Sequence, residues 1–192
     1  MKKLFIATAA LAGILALAPA FAQTASTTTA TKKTTTTTKT TAGKLSTADR
    51  KFFTAASQGG MLEVELGKIA AEKGSNPDVK AFGQRMVDDH SKANDQLKQL
   101  AAQKNVTLSD KLSPAKQKQV NKFNKLSGAA FDSSYMSNMV SDHKEDVAEF
   151  KKEAKSAKDA DLKAWAGTTL PTLEDHLKMA EDTKAKLHSK KG

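Results

Sequence analysis

Apolar residues recur at spacings of three and four along four stretches of this chain, and in three of them a histidine takes a place in the series. Such a repeat puts its members on one face of an α-helix, so each of those histidines is expected to point inward. The first stripe runs Phe52, Ala55, Ala56, Gly59, Leu62, Leu66, Ile69 and Ala70. The second is Val79, Phe82, Met86, His90, Ala93, Leu97 and Leu100. Phe131, Tyr135, Met139, His143, Val147 and Phe150 make the third, and Leu162, Trp165, Thr169, Leu173, His176, Ala180 and Leu187 the fourth. No stretch shows the sustained alternation of a strand, so the fold class is all-α.

The punctuation agrees with four long helices and one short one. Ser46 with Asp49 reads as a capping-box variant opening the first helix, which runs from about Thr47 to Lys73, with Gly74 as the residue that ends it. Asn76-Pro77 caps and starts the second. Ser113-Pro114 repeats the device for a short helix reaching about Leu126, and Ser127-Gly128 is a break. The third long helix extends to about Lys155 and the fourth from about Asp159 to about Leu187, with Pro171 inside it and a kink expected just before His176. Helices of about 27 residues are about 40 Å long at 1.5 Å per residue. The link over residues 105–127 is long enough to travel that length, which makes the second and third long helices parallel. Two helical hairpins joined by a crossover form a ferritin-like four-helix bundle, here with an extra short helix in the connection between helices 2 and 3.

The two hairpins echo each other. Asp78-Val79-Lys80-Ala81-Phe82 opens the second helix and Asp161-Leu162-Lys163-Ala164-Trp165 the fourth, and a valine, Val64 or Val147, stands 14 residues before each. This predicts an internal duplication.

The termini set the expected compartment. Lys2 and Lys3 precede an apolar run from Leu4 to Pro19, and Ala20-Phe21-Ala22 gives a small-residue cleavage pattern, so residues 1–22 read as a secretory signal peptide. The expected location is the periplasm, with association to the outer membrane a variant of it. Residues 23–45 are mostly Thr, Ala and Lys and read as a disordered tether, whose lysines are expected to touch anionic envelope surfaces weakly. Residues 46–188 form one domain, and 189–192 a basic tail. The net charge of +10 includes two leader and four tether lysines, which leaves +4 on the remainder. That charge is dispersed Lys on helix faces, so no nucleic-acid partner is expected. No apolar segment after the leader is long enough to span a membrane. With no cysteine, there is neither a lipid-anchor cysteine nor a disulfide.

Three of the four histidines follow an aspartate: Asp89-His90, Asp142-His143 and Asp175-His176. Each pair lies near the middle of a helix, and Glu63 lies near the middle of the first. Two readings fit. In one, Glu63, His90, His143 and His176 converge on a transition metal, with copper, zinc or iron compatible with imidazole and carboxylate ligands. The aspartates sit about 100° round from their own histidines. They would instead hold the free ring nitrogen of a histidine on the adjacent helix. Met86, Met139 and Met179 stand within a turn of the three histidines, and with parallel second and third helices all three fall on one side of them, where they offer soft ligands or fill the core. In the other reading the His and Asp residues only order the core of a structural or interaction protein. Val87 and Leu173 stand three before His90 and His176, so the Glu-x-x-His pattern of ferritin-like di-iron sites is absent. With no nucleophile beside a base, no glycine-rich phosphate loop and no cysteine, the sequence gives no sign of an enzyme.

The segments Arg85 to His90, Tyr135 to His143 and Leu170 to His176 resemble those of domain-of-unknown-function family 4142. The resemblance covers roughly residues 46–188. It implies a bacterial envelope protein with a ferritin-like fold, of a kind labelled predicted outer membrane protein. A helical sequence of this type is not a membrane β-barrel. The resemblance implies little about function; the role expected on the metal reading is metal handling or envelope stress tolerance.

Overall fold

The computed structural model describes residues 45–189. The expected signal peptide, nearly all of the tether and the basic tail beyond Ser189 lie outside the described residues. Five helices follow in order: α1 (Thr47–Lys73), α2 (Pro77–Gln103), α3 (Pro114–Asn124), α4 (Gly128–Ser156) and α5 (Ala160–Ser189). There is no strand among the described residues, and no helix there is long and apolar enough to cross a membrane.

The helix starts follow the capping chemistry written in the sequence. Ser46 accepts from the Asp49 amide at 3.0 Å, Asn76 from Asp78 at 2.8 Å, and Asp159 from Leu162 at 2.9 Å. The Asp49 side chain does not reach back as a capping box would. Its two oxygens accept instead from the amides of Lys158 and Asp159, both at 3.1 Å, in the α4–α5 turn. Asp132 of α4 does the same for the α1–α2 turn, accepting from the amides of Ser75 at 3.0 Å and Asn76 at 2.9 Å. Each hairpin thus holds the turn of the other.

Gly74 ends α1 with φ −52°, so the left-handed conformation expected of a glycine at this place is absent. Glycine is favoured by contact instead, since a Cβ here would lie 2.7 Å from the Ala70 carbonyl oxygen. The left-handed residue is Asn105, φ 55°, at the end of α2, where Val106 donates to Ala101 at 2.8 Å. The helix α5 runs unbroken through Pro171. The carbonyl that this proline leaves free belongs to Gly167, which is exposed and open to water.

α1 packs most extensively on α2, and α4 on α5; α2 also meets α5, while α1 meets α3 and α4. Polar contacts at the ends give the directions. Lys104, just past α2, pairs with Asp159 at 2.7 Å before α5, and Lys186 near the end of α5 pairs with Asp78 at the start of α2. With the Asp49 and Asp132 contacts, these make α2 antiparallel to α5 and α1 antiparallel to α4. Hence α2 and α4 run the same way, and the chain between them travels along α1. Gln58 binds the Lys111 carbonyl and the Ser113 amide of that link, Val120 and Phe123 bury its helix, and Lys73 reaches the Asn124 carbonyl.

The core is two apolar clusters separated by the histidines. One contains Leu66, Phe82, Met86, Phe123, Tyr135 and Met139. The other contains Phe53, Leu97, Phe150, Leu162 and Leu173, and also Leu45, so the expected tether stops one residue short of its predicted end. The buried face of α1 is rotated from the expected stripe. Ala55 is exposed and Gly59 half-buried, whereas Phe53, Ser57, Gly60, Glu63 and Gly67 are buried. Small residues carry this face because α2 comes close. A Cβ on Gly67 would lie 2.7 Å from the Gly83 oxygen, and one on Gly83 2.7 Å from the Gly67 oxygen.

Candidate metal centre

His90 on α2, His143 on α4 and His176 on α5 meet between the two clusters. They are 6%, 0% and 0% exposed. Their ring centroids are 5.3 Å apart for His90–His176 and His143–His176, and 5.8 Å for His90–His143. One ligand nitrogen from each ring lies within 4.8 Å of the other two, and among the described residues no other set of three or more His, Asp and Glu side chains converges this way.

Two of the rings have their tautomer fixed. The Nδ1–H of His143 donates to the Met139 carbonyl at 3.0 Å, one turn back on the same helix. The Nε2–H of His176 donates to the Asp89 carboxylate at 2.9 Å. A carbonyl and an ionised carboxylate only accept, so the proton stays on the outer nitrogen and the other nitrogen keeps a bare lone pair. Burial would raise the Asp89 carboxyl, but hydrogen bonds from Arg85 and His176 bring it below the ordinary aspartate range and keep it ionised. The nitrogens left without a partner are Nε2 of His90, Nε2 of His143 and Nδ1 of His176, all buried.

All three imidazoles are held neutral. Burial lowers His143 to about 4, with the neighbouring His176 adding to it. Burial and both other histidines put His90 well below its ordinary value. Burial also lowers His176, against the pull of Asp89. A neutral ring is the form that ligates.

Glu63 is buried but is not in the converging group. One of its oxygens, Oε2, has no partner. Burial raises its pKa well above the usual value, and Asp146 and Asp142 raise it further against Lys116. Tyr135 is a neighbour: its hydroxyl is also buried without a partner, and burial and then Glu63 push its pKa up. Of the three aspartates, only Asp89 holds a histidine. Asp142 accepts from Asn138 at 2.6 Å, and Asp175 is exposed. Met86 and Met139 are fully buried, and Met179 packs against the same apolar cluster, so all three lie on one side of the histidines. Sequence reasoning missed Arg85, which pairs with Asp89 one turn away, and the half-buried Asp146. The i, i+4 spacing of Arg85 and Asp89 was the available signal for the first.

The family model for a domain of unknown function, DUF4142, matches residues 34–183. The chain belongs to this family. No curated protein matches the DUF4142 chain. Its fold is similar to that in the crystal structure of a DUF305 fragment from Deinococcus radiodurans, with a TM-score of 0.65 at 11% identity over 75% of this chain and 99% of that one. At that identity the likeness is one of fold alone.

Proposed function

We propose that this DUF4142 protein is a ferritin-like four-helix bundle of the bacterial periplasm that binds one transition-metal ion through His90, His143 and His176, in metal handling or envelope stress tolerance rather than catalysis. The carrying observation is the convergence of three buried imidazoles, each with a buried ring nitrogen that has no partner, the lone pair being bare on His143 and His176. Buried acceptors without partners are rare and costly, and a cation meets all three at once. The fit is close. Three atoms within 4.8 Å of one another share a point at most about 2.8 Å from each, and zinc–nitrogen bonds are about 2.0–2.1 Å. Each ring has to move by less than about 1 Å.

The ligand set favours zinc or copper over iron. Three neutral nitrogens suit the former, and the carboxylates Glu63 and Asp146 are not in the converging group. The parallel α2 and α4 are what the ferritin-like arrangement requires. Met86 and Met139 on one side of the rings offer sulfur for cuprous ion.

Metal analysis of protein purified without a histidine tag, followed by zinc, copper and iron titration of wild type and a His90→Ala/His143→Ala variant, tests this. One equivalent bound by wild type and lost in the variant is the expected result. Absence of binding by folded wild type overturns it and leaves histidines that only order the core.

A further inference from the structure

A cavity of about 30 Å3 borders His90, and Gly60, Ala93, Asn94, Asp146, Trp165 and Leu173 are in its wall. Its position follows from the duplication. A shift of 83 positions carries Asp49 onto Asp132, which make matching contacts to opposite turns, and Asn76 onto Asp159, which cap α2 and α5. The same shift carries Gly60 onto His143, Ala93 onto His176 and His90 onto Leu173. The cavity is therefore the counterpart of the histidine centre in the other half of the repeat. Space exists there because glycine and alanine stand where the centre has imidazoles. Glu63 maps onto Asp146, so each half also carries a carboxylate.

The three rings are not held alike. His143 and His176 each donate from their outer nitrogen to a protein oxygen. His90 has its Nε2 buried without a partner, and its ring borders the cavity. A neutral imidazole carries its proton on one nitrogen or the other, and a protonated Nε2 cannot ligate. Something must keep the proton of His90 on Nδ1.

We propose that Asp146 is the positioning residue for His90, acting through a single water in this cavity that accepts from Nδ1–H and donates to the Asp146 carboxylate. The volume exceeds the roughly 10–15 Å3 that a cavity needs to admit a water, and a buried water needs about two to four polar partners. His90 and Asp146 supply two. The Trp165 Nε1–H, buried and without another partner, and the Asn94 side chain are two more in the wall; Thr169 and the exposed Glu149 also line it. Each ligand histidine then has an oxygen behind it: a carbonyl for His143, a carboxylate for His176, and a water-linked carboxylate for His90. This rests on the metal reading above, and the tautomer it specifies exists without the metal.

The experiment is nitrogen NMR of the histidine side chains in metal-free protein at pH 8, for wild type, Asp146→Leu and Asp146→Asn, with zinc titration of each. Wild-type His90 is expected as the Nδ1–H tautomer. In Asp146→Leu it shifts toward Nε2–H while His143 and His176 stay unchanged, and zinc affinity falls about 10- to 100-fold. Asp146→Asn, which keeps an acceptor, recovers part of both. An unchanged His90 tautomer in folded Asp146→Leu overturns the proposal; if that variant does not fold, an unchanged tautomer and affinity in Asp146→Asn do so. Should wild type bind no zinc, the metal reading fails, and the tautomer alone decides this one.

Discussion

Asp89 of α2 holds His176 of α5 by a 2.9 Å hydrogen bond across the helix interface, and Arg85 holds Asp89 in turn. Replacing Asp89 by Asn removes the charge that keeps the proton on Nε2. Zinc affinity is expected to fall about 10- to 100-fold, while helix content by circular dichroism is unchanged. Undiminished affinity would show that the ring is held by packing alone.

Metal should stabilise the folded protein through all three rings. At free zinc 100 times the dissociation constant the expected gain is about 2.7 kcal/mol. His143→Ala should abolish that gain, and lose stability without metal as well, because the ring is fully buried. Urea titrations with and without zinc measure both.

The glycines of α1 predict opposite signs. Gly67→Ala puts a methyl 2.7 Å from the Gly83 oxygen, and since that atom is backbone the helices must part, at a cost of about 1–3 kcal/mol. Gly59→Ala meets nothing within 4 Å and should gain about 0.5–1 kcal/mol from helix propensity. Thermal melts of the two variants against wild type check the sign.

Titration of the buried groups gives a pH dependence. His143 is lowered from 6.5 to about 4, so between those values the unfolded chain binds the proton and the folded one does not. Stability from this group is full above pH 6.5 and is lost as pH falls toward 4, by on the order of 3 kcal/mol. Asp146 works the other way. Burial, with Asp142 and Glu149, raises it from 3.8 to about 7, so its contribution is present below pH 3.8 and is lost as pH rises through 7. Asp146→Asn should therefore stabilise the metal-free protein at pH 8 relative to wild type, and less so at pH 4. Denaturation at the two pH values tests this.

The helices were readable because their punctuation is local: Ser46, Asn76-Pro77 and Ser113-Pro114 sit where helices begin. Every member expected on the α4 stripe is buried, since each is large and apolar or a histidine, but the buried face is wider and also takes in Met136 and Val140. The buried face of α1 was misplaced because Ser57, Gly60 and Gly67 carry no hydropathy signal; what buries them is the approach of α2. The inward histidines followed from periodicity, and so did the bond from Asp89 to a neighbouring helix. Which aspartate would make it did not, because Asp89, Asp142 and Asp175 have the same local spacing and differ only in what faces them. Asp146 lay off every apolar stripe, and only the packing of α4 against α1 and α5 half-buries it.

The turn of each hairpin is capped by a carboxylate from the other, Asp49 for one and Asp132 for the other. Neither half can satisfy its own backbone when it stands alone. A half-folded state with one hairpin formed leaves orphan amides at its turn, an apolar face in water and an incomplete set of imidazoles. The two halves of the repeat are thus bound to one cooperative transition, and either hairpin expressed by itself should melt without a cooperative step.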